Sequence, residues 1–173
     1  MSDFPRTATK VLILDRGAAE VVYPADWSAE LKAEGHMRLV DPTDACSLEI
    51  SLLPLRLSVK AELPVDHLLV ETLSSDGREI GEIRLEARGD LRLAWADTSY
   101  ECDDAERGQR RVAHCRYLLG SNGLLTALLS FNYWHDDADW AVPAWQRIAA
   151  SLQLGDGVRL AGPEEHWSLR KPS

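Results

Sequence analysis

The sequence predicts an α+β fold, an antiparallel β-sheet of about six to eight strands with two principal helices packed on it. Three observations predict it. Residues 83–87, 91–95, 111–119 and 124–134 alternate bulky apolar with smaller or polar side chains, the period-two pattern of strands. Residues 65–73 and 141–152 instead space their apolar side chains at helical intervals. Short turns carrying Gly, Asn or Asp separate the strand segments, so neighbours join as hairpins.

The chain organises around Gly108 to Leu154. Between Leu124 and Trp134 the bulkier apolar residues fall on odd positions, and Ala113, Cys115, Tyr117 and Leu119 do the same in the preceding run. A single buried face then requires odd to oppose odd, hence a three-residue loop, Ser121-Asn122-Gly123. After Trp134 the residues Ala141, Ala144, Trp145, Ile148, Ala149 and Leu152 fall on one helical face that covers the sheet. Asp136, Asp137 and Asp139 suit the positive helix N-terminus, Pro143 suits the first turn, and Gly155 suits the residue after the helix end.

Earlier elements follow the same logic. Residues 1–10 read as a loose arm, and 11–157 as one domain. Val11–Leu14 and Glu20–Tyr23 form a hairpin across Arg16-Gly17. The Tyr23-Pro24-Ala25-Asp26-Trp27 stretch breaks it, and a polar stretch continues to Gly35. Met37–Val40 turns at Asp41-Pro42-Thr43-Asp44 into Ser47–Leu53, with Leu48, Ile50 and Leu52 on one face and Pro54 ending the strand. A helix from Pro64 presents Val65, Leu68, Leu69, Thr72 and Leu73. In the next hairpin, odd facing odd makes Arg88-Gly89-Asp90 the loop, and turn chemistry rather than integrin recognition explains that tripeptide. The strand from Leu91 continues to Cys102 with a bulge near Asp97–Ser99. A turn tipped by Gly108-Gln109 sets Glu106 opposite Arg111, Glu101 opposite Arg116 and Cys102 opposite Cys115. Residues 158–173 read as a tail, with Trp167 as a docking anchor.

Composition bounds the function. A net charge of −9 and scattered basic residues argue against nucleic-acid binding and against an anionic membrane surface. The apolar run Val11–Leu14 is too short for a signal-peptide core, and no run is long enough to span a bilayer, which sets the expectation of a cytoplasmic protein without membrane insertion. Cys46, Cys102 and Cys115 have neither disulfide nor zinc spacing, and Cys102 and Cys115 read as small core hydrophobes. His36, His67 and His166 lack ligand spacing, so no metal or cofactor is expected.

The Tyr23-Pro24-x-x-Trp27 corner, the strand pair ending at Leu53, the helix after Pro64, and Leu124–Trp134 running into a helix that ends Ala150-Ser151-Leu152 resemble the PsbP-like superfamily, which includes DcrB-like proteins. The resemblance extends over residues 18–154. It implies a PsbP-like α/β sandwich, and binding or scaffolding rather than catalysis. No catalytic residue carries over with it.

Strand direction places the turn after Cys102, the link Ser74–Glu79 and the loop after Trp134 at one end of the sheet. That end gathers Asp103, Asp104, Glu106, His135, Asp136, Asp137 and Asp139, with Trp134 and Trp140 beside them. An acidic rim with aromatic anchors suits a basic protein partner, while Arg107, Arg110 and Arg111 neutralise part of it. The bland reading is a solvated loop with charges at a helix start; Ca²⁺ is a third, without EF-hand spacing. The expectation is a non-enzymatic binding protein with an immunity or chaperone-like role in bacteria as the fold analogy. The alternative is a small hydrolase using His114 or His135 with neighbouring carboxylates, Asp103 opposing His114. No phosphate loop, nucleophile elbow or HExxH motif accompanies them.

Overall fold

The computed structural model describes residues 8–33, 35–54, 63–74, 77 and 79–155. Trp167, His166 and the predicted tail lie outside the described residues. In chain order the elements are β1 (Thr9–Leu14), β2 (Ala19–Pro24), β3 (Ser28–Ala33), β4 (His36–Val40), β5 (Cys46–Pro54), α1 (Val65–Ser74), β6 (Arg84–Arg88), β7 (Leu91–Asp104), β8 (Gln109–Ser121) and β9 (Leu125–Trp134). A 3-10 turn, His135–Asp137, leads into α2 (Ala138–Ser151) and then β10 (Gln153–Leu154).

The predicted class is the one observed. Seven strands form one antiparallel sheet in the order β3-β4-β5-β9-β8-β7-β6. The N-terminal hairpin does not join it, but makes a second sheet in the order β1-β2-β10. Strand β3 falls in the stretch expected to be merely polar. All six of its residues are exposed, so it has no buried face to imprint an alternation. It is an edge strand with a register shift between Leu31 and Ala33 and a lysine at 32, features that discourage pairing with another chain.

The register of the long hairpins corrects the one-face expectation. Ser121 pairs with Thr126 and Leu118 with Leu129, so odd positions of β8 oppose even positions of β9. Four residues, 122–125, separate the closing pair Ser121–Thr126, not the three of 121–123, and Leu125 already pairs with Pro54 of β5. Asn122, itself buried, shapes it: its Oδ1 accepts from the amides of Leu124 and Leu125 at 3.0 and 2.9 Å. The physical reason is that both faces of β8 are buried. Cys115, Tyr117 and Leu119 pack with Val65, Leu69 and Leu73 of α1, whereas Leu118 joins Leu129 and Phe131 under α2. A central strand covered on both sides imposes no parity rule on its turn.

Similar corrections apply to β6–β7 and β7–β8. Arg88 pairs with Leu91 across a two-residue turn, Gly89-Asp90, instead of a three-residue loop. Arg88 reaches back to donate to the Ala149 and Ala150 carbonyls, 3.3 and 3.0 Å, at the C-terminal end of α2. In the β7–β8 ladder Cys102 opposes Arg111, Glu101 opposes Val112 and Thr98 opposes Cys115, four positions from the expected register and without the expected bulge. Cys115 is buried, but Cys102 is half-buried and not its partner.

The larger core lies between the seven-stranded sheet, α2 and the small sheet. Its centre is a column of rings: Phe131 stacks on Trp145 at 5.4 Å and 11° and on Trp27 at 6.3 Å and 7°. Leu48, Ile50 and Leu129 surround it without exposure. Trp95 meets Trp145 edge-on at 6.0 Å and 86°. The last turn of α2 is tied to the small sheet through the Ser151 hydroxyl, which accepts from the Val22 amide at 2.8 Å.

Two details of α2 differ from expectation. Helix onset at Ala138 puts Pro143 in the second turn, where it has no N–H to donate to the Asp139 carbonyl one turn earlier. Gly155 follows β10 rather than capping the helix: its amide donates to the Ala18 carbonyl at 2.9 Å. A Cβ at this position would collide with the Gly17 carbonyl oxygen, so the close approach requires glycine.

Candidate functional site

The β7–β8 turn and the connection from β9 into α2 meet at one end of the seven-stranded sheet. Asp104 closes β7, and its Oδ1 accepts from the amides of Glu106 and Arg107 at 3.0 and 3.1 Å. This side chain-to-backbone bonding explains why an Asp stands where the strand turns. The other carboxylate oxygen accepts from Arg111 Nη1 at 2.9 Å.

Arg111 is the hub of this end. Its side chain is only 5% exposed, yet it carries a full charge. Nη2 donates to Asp136 and Asp137 at 3.3 and 3.5 Å, and the guanidinium lies 4.5 Å from the Trp134 ring centroid. Its Nε–H is buried with no hydrogen-bond partner among the described residues. Burial works against the charge, but the hydrogen bonds to Asp104 and Asp136 outweigh it and raise the guanidinium pKa. Reciprocally, the bond from Arg111 holds the Asp104 carboxyl below the usual carboxylate range.

The predicted rim therefore divides into two groups. Asp104, Asp136, Asp137 and Trp134 surround Arg111, whose single positive charge answers part of the three negative ones. Asp103, Glu106, Asp139 and Trp140 are exposed at its margin. Trp140 is 40% exposed, and its Nε1–H points to Asp137 Oδ1 at 3.4 Å. Of the link before β6, residues 75, 76 and 78 lie outside the described residues, and its last residue, Glu79, sits beside the middle of β7, where its carbonyl accepts from Thr98 at 2.7 Å.

Asp103 opposes Arg110, and Ser99 opposes His114, so the expected Asp103/His114 pair does not form. His114 bonds His135 instead, with Nε2 and Nδ1 2.9 Å apart. The His114 ring also stacks on Tyr133 at 5.1 Å and 17°. Arg116 lies 5.7 Å from the Tyr133 ring and 3.6 Å from Asp97. Burial first, then the neighbouring His135 and Arg116, pushes the His114 pKa below the ordinary imidazole value, with Asp97 opposing.

The rim's carboxylates on the β7–β8 turn and after Trp134 follow from chain direction, but nothing in the sequence marks its hub. Arg111 looked like one neutralising charge among three, and only the ladder partner at Cys102 turns it toward the acidic turn. The imidazole pair spans 21 residues and no spacing rule announces it. Among the described residues, no three His, Cys, Asp or Glu side chains gather in a metal-binding arrangement. No helix there is long and apolar enough to cross a membrane. An open groove of about 380 Å³ lies elsewhere, between the start of α1 and the β6–β7 hairpin, lined by Val65, Leu85, Ala87, Arg92 and Leu93 among others.

The element order and sheet topology are those of the PsbP-like fold. Cyanobacterial PsbP from Synechocystis sp. PCC 6803 matches with a TM-score of 0.60 at 13% identity, covering 90% of this chain and 97% of that one. The Ran-binding protein Mog1p of Saccharomyces cerevisiae matches with a TM-score of 0.54 at 12% identity, covering 87% and 97%. At such identities the likeness is one of fold. A family model described as Alr1449 matches residues 10–158, and the chain belongs to the Alr1449 family. It is 28% identical over 156 residues to the uncharacterized protein alr1449 of Nostoc sp. (strain PCC 7120 / SAG 25.82 / UTEX 2576), across 87% of this chain and 79% of that relative.

Proposed function

We propose that the protein is a non-enzymatic binding domain that docks a basic segment of a protein partner at the acidic end of its large sheet. Trp140 carries this reading. A large indole stands 40% exposed at the start of α2, anchored by one carboxylate and flanked by exposed Asp139. An aromatic anchor within a field of negative charge suits a cationic peptide, which gains both ring contact and steering. That a Ran-binding protein shares the fold supports protein recognition as its use. A cytoplasmic setting and an immunity or chaperone-like role belong to the same reading. His114 and His135 bond each other rather than a carboxylate, so the hydrolase alternative is not adopted.

The internal pairing of Asp136 and Asp137 decides which residues to vary. Reversing either one would disturb Arg111 as well as any partner. Asp103→Lys, Asp139→Lys and Trp140→Ala touch the margin instead. Immobilised wild-type chain and the triple variant, matched for thermal midpoint, are exposed to lysate of the source organism and the captured proteins read by mass spectrometry. A basic protein retained by wild type and lost by the variant is expected. Identical captures from both would end the proposal.

A further inference from the structure

A hydrogen bond between two imidazoles needs one N–H and one lone pair. It survives in the neutral pair and in the singly protonated pair. A second proton sets N–H against N–H and places two positive charges in contact. The 2.9 Å separation of His114 Nε2 and His135 Nδ1, with ring centroids 5.1 Å apart, is that of rings meeting end to end.

The pair's position gives this chemistry a consequence. His114 lies on β8, an inner strand of the seven-stranded sheet, whereas His135 opens the 3-10 turn whose next two residues hold Arg111. We propose that His114 and His135 form a proton-operated latch. Uptake of the second proton detaches the turn His135–Asp137 from β8 and loosens the grip of Asp136 and Asp137 on Arg111. The turn begins the helix that carries Trp140, so acidification reshapes the margin assigned above to a basic partner; that consequence rests on the docking reading.

The groups facing the latch set its sensitivity. From β7, Asp97 favours protonation of His114, Ser99 stands opposite on the ladder, and Glu101, two residues further on, pairs with Arg110. Arg116 on β8 opposes it, and Tyr133 on β9 stacks on the ring. Asp136 and Asp137 flank His135 in the turn, with Arg111 between them and Asp104, while Asp139 follows on α2. The depressed His114 value means that the folded state prefers the neutral ring. The stability this ring contributes is complete above its unfolded value of about 6.5 and declines as pH falls toward the folded value.

The test uses the full chain labelled with ¹⁵N, following imidazole and amide signals from pH 8 to pH 4.5. One ring of the pair is expected to charge below the ordinary histidine range, and the amides of Asp136 and Asp137 and the Trp140 indole to shift at the same midpoint. In His135→Gln and, independently, in His114→Gln that shared transition is expected to vanish while the neutral-pH amide dispersion persists. The latch is overturned if both rings charge while the turn amides stay still, or if those amides move with the wild-type midpoint in either variant. Titrating a Lys-rich peptide into the same samples separates the two readings. Binding that weakens about threefold or more from pH 7 to pH 5 in wild type, but not in His135→Gln, supports the coupling. A peptide that binds at neither pH removes the docking surface, while the shared transition still decides the latch.

Discussion

Adjacent residues of β8 should be equally intolerant of truncation. Leu118 and Leu119 are 0% and 1% exposed, but the first belongs to the core under α2 and the second to the core under α1. Leu→Ala removes three carbon groups, worth about 0.8 kcal/mol each, so the transfer cost alone is about 2.4 kcal/mol. A cavity left at either site adds to this, which gives about 2.5–4 kcal/mol for each variant. With a urea slope of about 2 kcal/mol/M, each should lower the unfolding midpoint by about 1.2–2 M without changing the slope. Their side chains point to opposite faces, so the double variant should show the two losses added to within about 0.5 kcal/mol. Urea unfolding followed by circular dichroism measures all three. A loss below about 1 kcal/mol at Leu118, beside an ordinary loss at Leu119, would refute two-sided burial and restore the strand with only its odd positions buried.

Further outcomes follow from single contacts. Gly155→Ala forces a methyl into the Gly17 carbonyl and should cost about 1–3 kcal/mol, read as a lowered thermal midpoint. Arg88→Met removes the donor that caps the end of α2, and should cost about 0.3–1 kcal/mol with faster amide exchange in the last helical turn. Asp104 has a lowered folded pKa, so its contribution is present above the unfolded carboxylate value and is lost as pH falls through the folded one. Asp104→Asn should therefore lower stability near neutrality and flatten the acid side of the stability–pH curve, measured by denaturant midpoints from pH 7 to pH 2.5.

Element type was legible in the sequence because it depends on local spacing, and the register was not because it depends on which faces are covered. The runs Tyr117-Leu118-Leu119 and Leu124-Leu125 did carry the information: consecutive apolar residues signal burial on both sides. Reading only the odd positions suppressed that signal and with it the true turns at 89–90 and 122–125. Strand β3 escaped because Ser28 to Ala33 bury nothing, leaving hydrogen bonding alone to define it. At the candidate site, chain direction sufficed to bring Asp104 and Asp136 to the same end. The burial of Arg111 between them depends on the ladder position of one residue, which the misread register had moved.

The stitch between Gly17–Ala18 and Gly155 has a bearing on how the protein is made. Strand β2 emerges from the ribosome early, yet its second neighbour, β10, and the helix end that receives the Val22 amide are synthesised about 130 residues later. Until then one margin of the nascent hairpin is open, and such distant closure slows folding and invites mispairing with other chains. Holding the hairpin soluble through translation is a task that the finished molecule no longer displays.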